Sequence, residues 1–83
     1  MKQSLPIKLF ASLRQAMNSD EIKIEIDNEI TVLQMKKIVF ETFPTVKKLN
    51  IPFLVAINHK YAPDSVVIGI NDEIALIPPV SGG

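Results

Sequence analysis

The sequence has no cysteine among its 83 residues. That absence excludes disulfide cross-links, thiolate nucleophiles and cysteine-ligated zinc or iron–sulfur centres together. An excess of charge of either sign is also missing, because nine Lys and Arg residues balance nine Asp and Glu residues. A broad basic face for nucleic acid or for an anionic membrane is therefore not expected. Long apolar runs are absent as well. The longest, Ile51 to Ile57 and Ile74 to Val80, span seven residues each and contain proline, far short of the ~20 that cross a bilayer. Met1-Lys2-Gln3-Ser4 leads into a strand-like run, not the apolar stretch of a signal peptide. The expectation is one soluble, cytoplasmic domain that binds no metal.

What the chain has is β-branched apolar mass. Hydrophobic residues make up 47% of it, and nineteen residues are Ile or Val. Such residues suit pleated, half-buried surfaces, and a domain this small, burying only about 60% of its unfolded surface, needs an efficient core. Leu5 to Phe10 alternates as a first strand with Pro6 near its start, and Ala11 to Met17 reads as a short helix with Leu13, Ala16 and Met17 on one side. Glu21 to Asp27 alternates without error, Ile22, Ile24 and Ile26 opposing four charged residues.

Thr31 and Gln34 have capping-box spacing, and Ile30 with Met35 has the spacing of a hydrophobic staple. The helix that follows is expected to bury Met35, Ile38, Val39, Thr42 and Phe43, and to stop at Pro44. Residues 45 to 52 read as irregular. Phe53 to Asn58 reads as a strand, Asn58 to Lys60 as a turn, and Tyr61-Ala62 as a short return strand. Val66 to Ile70 is a weaker strand signal interrupted by Gly69. Glu73 to Ile77 is a last strand, central in the sheet and buried on both faces. The fold class is α+β, a mixed sheet packed against one main helix, with residues 1–77 as the domain and 78–83 as an extended tail.

The tail is chemically unlike the rest. Pro78 and Pro79 have no N–H, so sheet pairing stops there and the backbone is held extended. Ser81, Gly82 and Gly83 then shrink toward a terminal carboxylate free of side-chain crowding. Six residues reach about 19 Å, enough to enter a cleft in another protein. A frayed end is the bland alternative, disfavoured by the stiff proline stem.

The run Asp72-Glu73-Ile74-Ala75-Leu76-Ile77-Pro78-Pro79-Val80-Ser81-Gly82-Gly83 closely resembles the C-terminus of the small subunits of molybdopterin synthases. Phe10-Ala11-Ser12-Leu13-Arg14 resembles that family's first strand-to-helix junction, and Val55-Ala56-Ile57-Asn58 its third strand. The likeness follows the element order along the whole chain and is most specific in the last twelve residues. Where the family usually has Gly before the Asp-Glu pair this chain has Asn71, a residue that also tolerates positive φ.

The resemblance implies a ubiquitin-like β-grasp fold and a sulfur carrier of molybdenum cofactor biosynthesis, itself non-catalytic. It implies that the Gly83 carboxylate is adenylated by a partner resembling the ubiquitin-activating enzymes and converted to a thiocarboxylate by a sulfur donor protein. It further implies that Ser81, Gly82 and Gly83 insert into a large synthase subunit, where sulfur passes to cyclic pyranopterin monophosphate. Two copies of each subunit, a heterotetramer, are implied. The chain lacks a glycine-rich phosphate loop followed by Lys, so ATP would bind on the activating partner. Pro78, Pro79 and Val80 are the expected partner contacts, with Arg14, the only arginine, as a further one. A thiamine-pathway carrier and a protein modifier joined through Gly83 to a lysine share the Gly-Gly end. A β-grasp interaction module with an inert tail is the reading of another class.

Other polar residues carry less. His59, the only histidine, sits in a turn with no carboxylate partner placed by sequence, and Asp72-Glu73 are turn residues before they are a metal pair. Lys47-Lys48 reads as a solvated loop pair.

Overall fold

A computed structural model of the chain describes residues 2–79. Strand β1 (Gln3–Leu9) buries Leu5, Ile7 and Leu9 on one face and exposes the residues between. It starts earlier than Leu5, and Pro6 lies inside it, paired with Lys23 of β2 (Glu21–Ile26). Proline is accommodated there because the other neighbour of β1 pairs only with Ile7 to Leu9, so at Pro6 the strand has a partner on one side alone. Between β1 and β2, helix α1 (Ala11–Met17) buries Leu13 while Ala16 stays exposed, and ends at Asn18 in the left-handed region.

Two-residue β3 (Ile30–Thr31) leads into α2 (Val32–Thr42). The capping box is formed: the Gln34 amide donates to Thr31 Oγ1 at 3.2 Å, and the Thr31 amide donates to Gln34 Oε1 at 2.8 Å. The buried stripe is Val32, Met35 and Val39, with Ile38 and Phe43 partly covered. Thr42, expected inside, is exposed, because it is the last residue of the helix and lies about 80° around it from Val32, at the edge of the buried stripe. Pro44 ends α2 as expected, yet the next residues are not irregular. They form α3 (Pro44–Leu49), which Pro44 starts from N1 and Val46 anchors in the core. A ring that breaks one helix is pre-set for the first turn of the next.

Strands β4 (Leu54–Ile57), β5 (Lys60–Tyr61), β6 (Val67–Ile68) and β7 (Ile74–Ile77) complete the chain. Five strands form one mixed sheet in the order β2-β1-β7-β4-β5, with β1 and β7 parallel and the other pairs antiparallel; β3 and β6 form a small second sheet. The last strand is central, as its apolar run predicts. It is not, however, covered by a layer on each face. Ile74 and Leu76 point into the core with α2, while Ala75 and Ile77 lie on the opposite face, which no element covers among the described residues. Ala75 is buried only because it is small and flanked by larger side chains.

The turn before β7 also differs from expectation. Asn71 does not adopt a positive φ. The Asp72 amide donates to the Gly69 carbonyl at 3.1 Å and the Gly69 amide returns a bond to Asp72 Oδ2 at 2.8 Å, so the turn closes without a left-handed residue.

Candidate functional site

The parallel pairing of β1 with β7 brings Leu9 opposite Leu76, and the antiparallel pairing of β4 brings Leu54 opposite Ile77. Successive side chains alternate across a sheet, so Phe10, Ile77 and Leu54 line up on the uncovered face where the chain leaves the sheet. Phe10 is 43% exposed and Leu54 51%, unusual for large apolar groups unless something covers them. One row behind lie Lys8, Ala75, Ala56 and Tyr61, joined by the register Lys8 to Ala75, Ala75 to Ala56 and Ala56 to Tyr61. The two alanines make the floor of a hollow of about 340 Å³, walled by Phe10, Ile77 and Tyr61.

The far edge of the hollow is polar. Glu73 lies 3.6 Å from Lys8 Nζ and 3.4 Å from His59 Nε2. His59 thus has a carboxylate neighbour that sequence reading did not place, although its side chain is largely solvated. Behind this edge Asn58 ties two turns together. Its side-chain amide donates to Asp72 Oδ1 at 3.1 Å, its Oδ1 accepts from the Glu73 amide at 2.9 Å, and its own backbone amide donates to the Glu73 carbonyl. The Gly69 amide first, and the Asn58 amide second, hold Asp72 below the usual carboxylate pKa.

The expected contact residues fall in different places. Pro78 is buried against the domain's own body, fixing the base of the tail, and Pro79 is exposed. Val80, Ser81, Gly82 and Gly83 lie outside the described residues. Arg14 is exposed on α1, pairs with no carboxylate among the described residues, and lines a shallow depression with Lys8, Phe10 and Glu21 beside the apolar row. Sequence reading missed the open face itself. Its signal was present in the small residues Ala56 and Ala75 at the centre of two strands otherwise built from large apolar groups. Among the described residues no cluster of His, Asp and Glu is arranged to hold a metal ion, and no helix is long and apolar enough to cross a membrane.

A model of the ThiS family matches residues 7–83. The chain is 33% identical to the molybdopterin synthase sulfur carrier subunit of Dictyostelium discoideum, with 100% of both chains covered. In structure it is similar to SAMP1 from Haloferax volcanii, with a TM-score of 0.82 and 27% identity over 98% of this chain and 100% of that one. It is also similar to a chain in the complex of subunits 1 and 2 of the molybdopterin-converting factor from Helicobacter pylori. There the TM-score is 0.66 and the identity 17%, over 98% of this chain and 100% of that one, a likeness of fold alone. The architecture is the ubiquitin-like β-grasp.

Proposed function

The chain belongs to the ThiS family, and from that premise we propose that it is the sulfur-carrier subunit of a molybdopterin synthase, loaded and unloaded at Gly83. The observation that carries this reading is the family match running the length of the domain and through Gly83, continuous with a central strand that ends beside an open apolar face.

The chemistry follows from the carboxylate. It is a poor electrophile, because its carbon is electron-rich and an oxygen dianion does not leave. Transfer of AMP from ATP by a partner enzyme makes a mixed anhydride and releases pyrophosphate. Sulfide-level sulfur released by a donor protein then attacks the anhydride carbon, the bond to the phosphate oxygen breaks and AMP leaves, so that a thiocarboxylate remains on the main chain. That group is ionised at neutral pH and nucleophilic, so the carrier needs no cysteine of its own. Tail residues Ser81 and Gly82 pass through a channel in the large subunit, which supplies the catalytic residues, and sulfur is delivered to cyclic pyranopterin monophosphate. Pro78 anchors the stem, while Pro79, Val80 and Arg14 contact the partner. The reaction cycle is assigned to the cytoplasm and the complex to two copies of each subunit. ATP binds on the activating partner and no cofactor on this chain.

Deleting Gly83, or replacing Gly82 by Val, should abolish transfer from chemically thiocarboxylated protein mixed with the large subunit. Deletion withdraws the reacting atom by ~3.3 Å, and misplacement of about 1 Å already costs on the order of 10²-fold. Near-normal turnover by both variants would sink the carrier reading and favour an inert tail.

The likeness to SAMP1, which a second solved structure names small archaeal modifier protein 1, supports one further role for the same tail, attachment through Gly83 to lysines of other proteins. Intact masses from the native cell separate the two: sulfur in place of one terminal oxygen marks the carrier, and Gly83-dependent high-mass adducts mark the modifier.

A further inference from the structure

We infer that the outer edge of β2 pairs antiparallel with β2 of a second copy of this chain, Lys23 standing opposite Glu25 of the other copy. The inference is independent of the carrier reading and rests on the ladder of the main sheet. Strand β2 ends that sheet, with β1 as its one neighbour among the described residues. In an antiparallel pair, residues that exchange hydrogen bonds alternate with residues whose N–H and C=O point the other way. The Leu9 amide donates to the Asp20 carbonyl at 2.9 Å, so along the same register Ile7 with Ile22 and Leu5 with Ile24 are the bonded pairs. Pro6, which has no N–H, stands opposite Lys23 in a non-bonded pair, as that phase requires. The N–H and C=O of Glu21, Lys23 and Glu25 therefore point away from the sheet.

One of these three residues is already occupied. The Ser19 hydroxyl donates to the Glu21 carbonyl at 2.6 Å and accepts from the Glu21 amide at 3.3 Å. Lys23 and Glu25 are exposed and have no ion pair among the described residues. Charged edge residues ordinarily keep sheets apart, but here they alternate in sign, and only outward-pointing residues can meet one another. Lys23 opposite Lys23 sets like charges together, and Glu21 opposite Glu25 with them. Lys23 opposite Glu21 needs the groups that Ser19 holds. Lys23 opposite Glu25 uses open groups alone: each pair exchanges both backbone bonds, Ile24 lies on the two-fold axis, and two Lys–Glu pairs form on the exposed side. The ladder is short, so the dimer is weak and forms at high concentration. Strand β7 lies two places away in the sheet and takes no part.

The test follows the full chain by sedimentation from micromolar to millimolar concentration, with amide NMR shifts recorded over the same range. The unaltered chain should dimerise, the Lys23 and Glu25 amides moving with concentration while the Glu21 amide stays still. Lys23→Glu and Glu25→Lys should each raise the dissociation constant by about tenfold or more, since two attractive pairs become repulsive. Circular dichroism and melting should stay near those of the unaltered chain. The double variant carrying both exchanges should recover the dimer, and the two single variants mixed should form a mixed pair. An unaffected Glu25→Lys, with no recovery in the double variant, would overturn this register in favour of Glu21 opposite Lys23. A chain that stays monomeric at millimolar concentration would overturn the pairing itself. So would concentration-dependent shifts confined to Phe10, Tyr61 and Ile77, or an extended peptide bound to the Lys23 and Glu25 amides of a chain that does not self-associate. Sulfur transfer from pre-loaded charge variants should match that of the unaltered chain, so the edge and the carrier reading fail separately.

Discussion

Asp72 and His59 show how single residues hold the rim of the open face. The Asp72 carboxylate accepts from the Gly69 amide and from Asn58, which together lower its pKa from 3.8. A carboxyl whose pKa falls on folding stabilises the fold above the unfolded value and loses that contribution as pH drops through the lower, folded value. Stability should therefore decline as the pH is taken below about 4. Asp72→Ala should be less stable at pH 7 and show a shallower acid decline, in urea titrations run at both pH values. An acid limb of undiminished slope in the variant would assign it to other carboxyls. Asn58 and His59, with φ of 51° and 71°, are the two central residues of the hairpin turn between β4 and β5. Both positions of such a turn need positive φ, and glycine suits the second best. His59→Gly should raise stability by about 0.5 kcal/mol, the relief of left-handed strain less the greater unfolded freedom of glycine. A urea midpoint that moves down would mean that the contact with Glu73 outweighs the strain.

At the scale of elements, α2 is the only helix longer than two turns among the described residues, and it is fastened at its start. The reciprocal bonds of Thr31 and Gln34 satisfy two amides that the helix leaves without partners. Val32 and Leu33 donate to the Val66 and Asp64 carbonyls, so the same turn is stitched to the segment around β6. Thr31→Ala should cost about 1 kcal/mol, read from chemical denaturation. A cost well below that would show that the stitching to β6 holds the turn without the cap. The capping box was legible from a spacing of three residues, and so was the end of α2 at Pro44. Helix α3 was not. Its hydrophobic periodicity is one buried residue, Val46, and whether Val46 finds a core is decided by the fold around it.

For the whole molecule, one core joins the sheet and the helices among the described residues. Leu5, Ile7, Leu13, Met35, Ile74 and Leu76 are fully buried between the sheet and the helices, and Pro78 is the last buried residue described. Removing Val80 to Gly83 should leave the unfolding curve within about 0.5 kcal/mol and abolish sulfur transfer. A fall in stability of several times that size would make the tail part of the domain. The expected separation of stability from activity rests on the architecture of the described residues: a central strand, paired on both sides, ends at Ile77 with its core contacts already made.

The local periods of the sequence by themselves determined most of the elements. The alternation in β2, the capped start of α2 and the apolar run of β7 each imply one conformation, because side-chain direction follows from a repeat of two or 3.6 residues. The end of sheet pairing before Pro78 was readable too, because a residue without an N–H cannot continue the ladder. What only tertiary structure decided is which apolar faces are covered. Ile74 and Ala75 are neighbours of similar character in the chain, yet one joins the core cluster and the other faces outward. Periodicity states that two faces are apolar, not how many layers exist to cover them. The tie of Asn58 to Asp72 and Glu73 was likewise invisible, since it joins turns 14 residues apart that only the pairing of β4 with β7 brings together. The hollow over Ala56 and Ala75 exists for the same reason: small residues on adjacent strands leave a hollow only when the register sets them side by side.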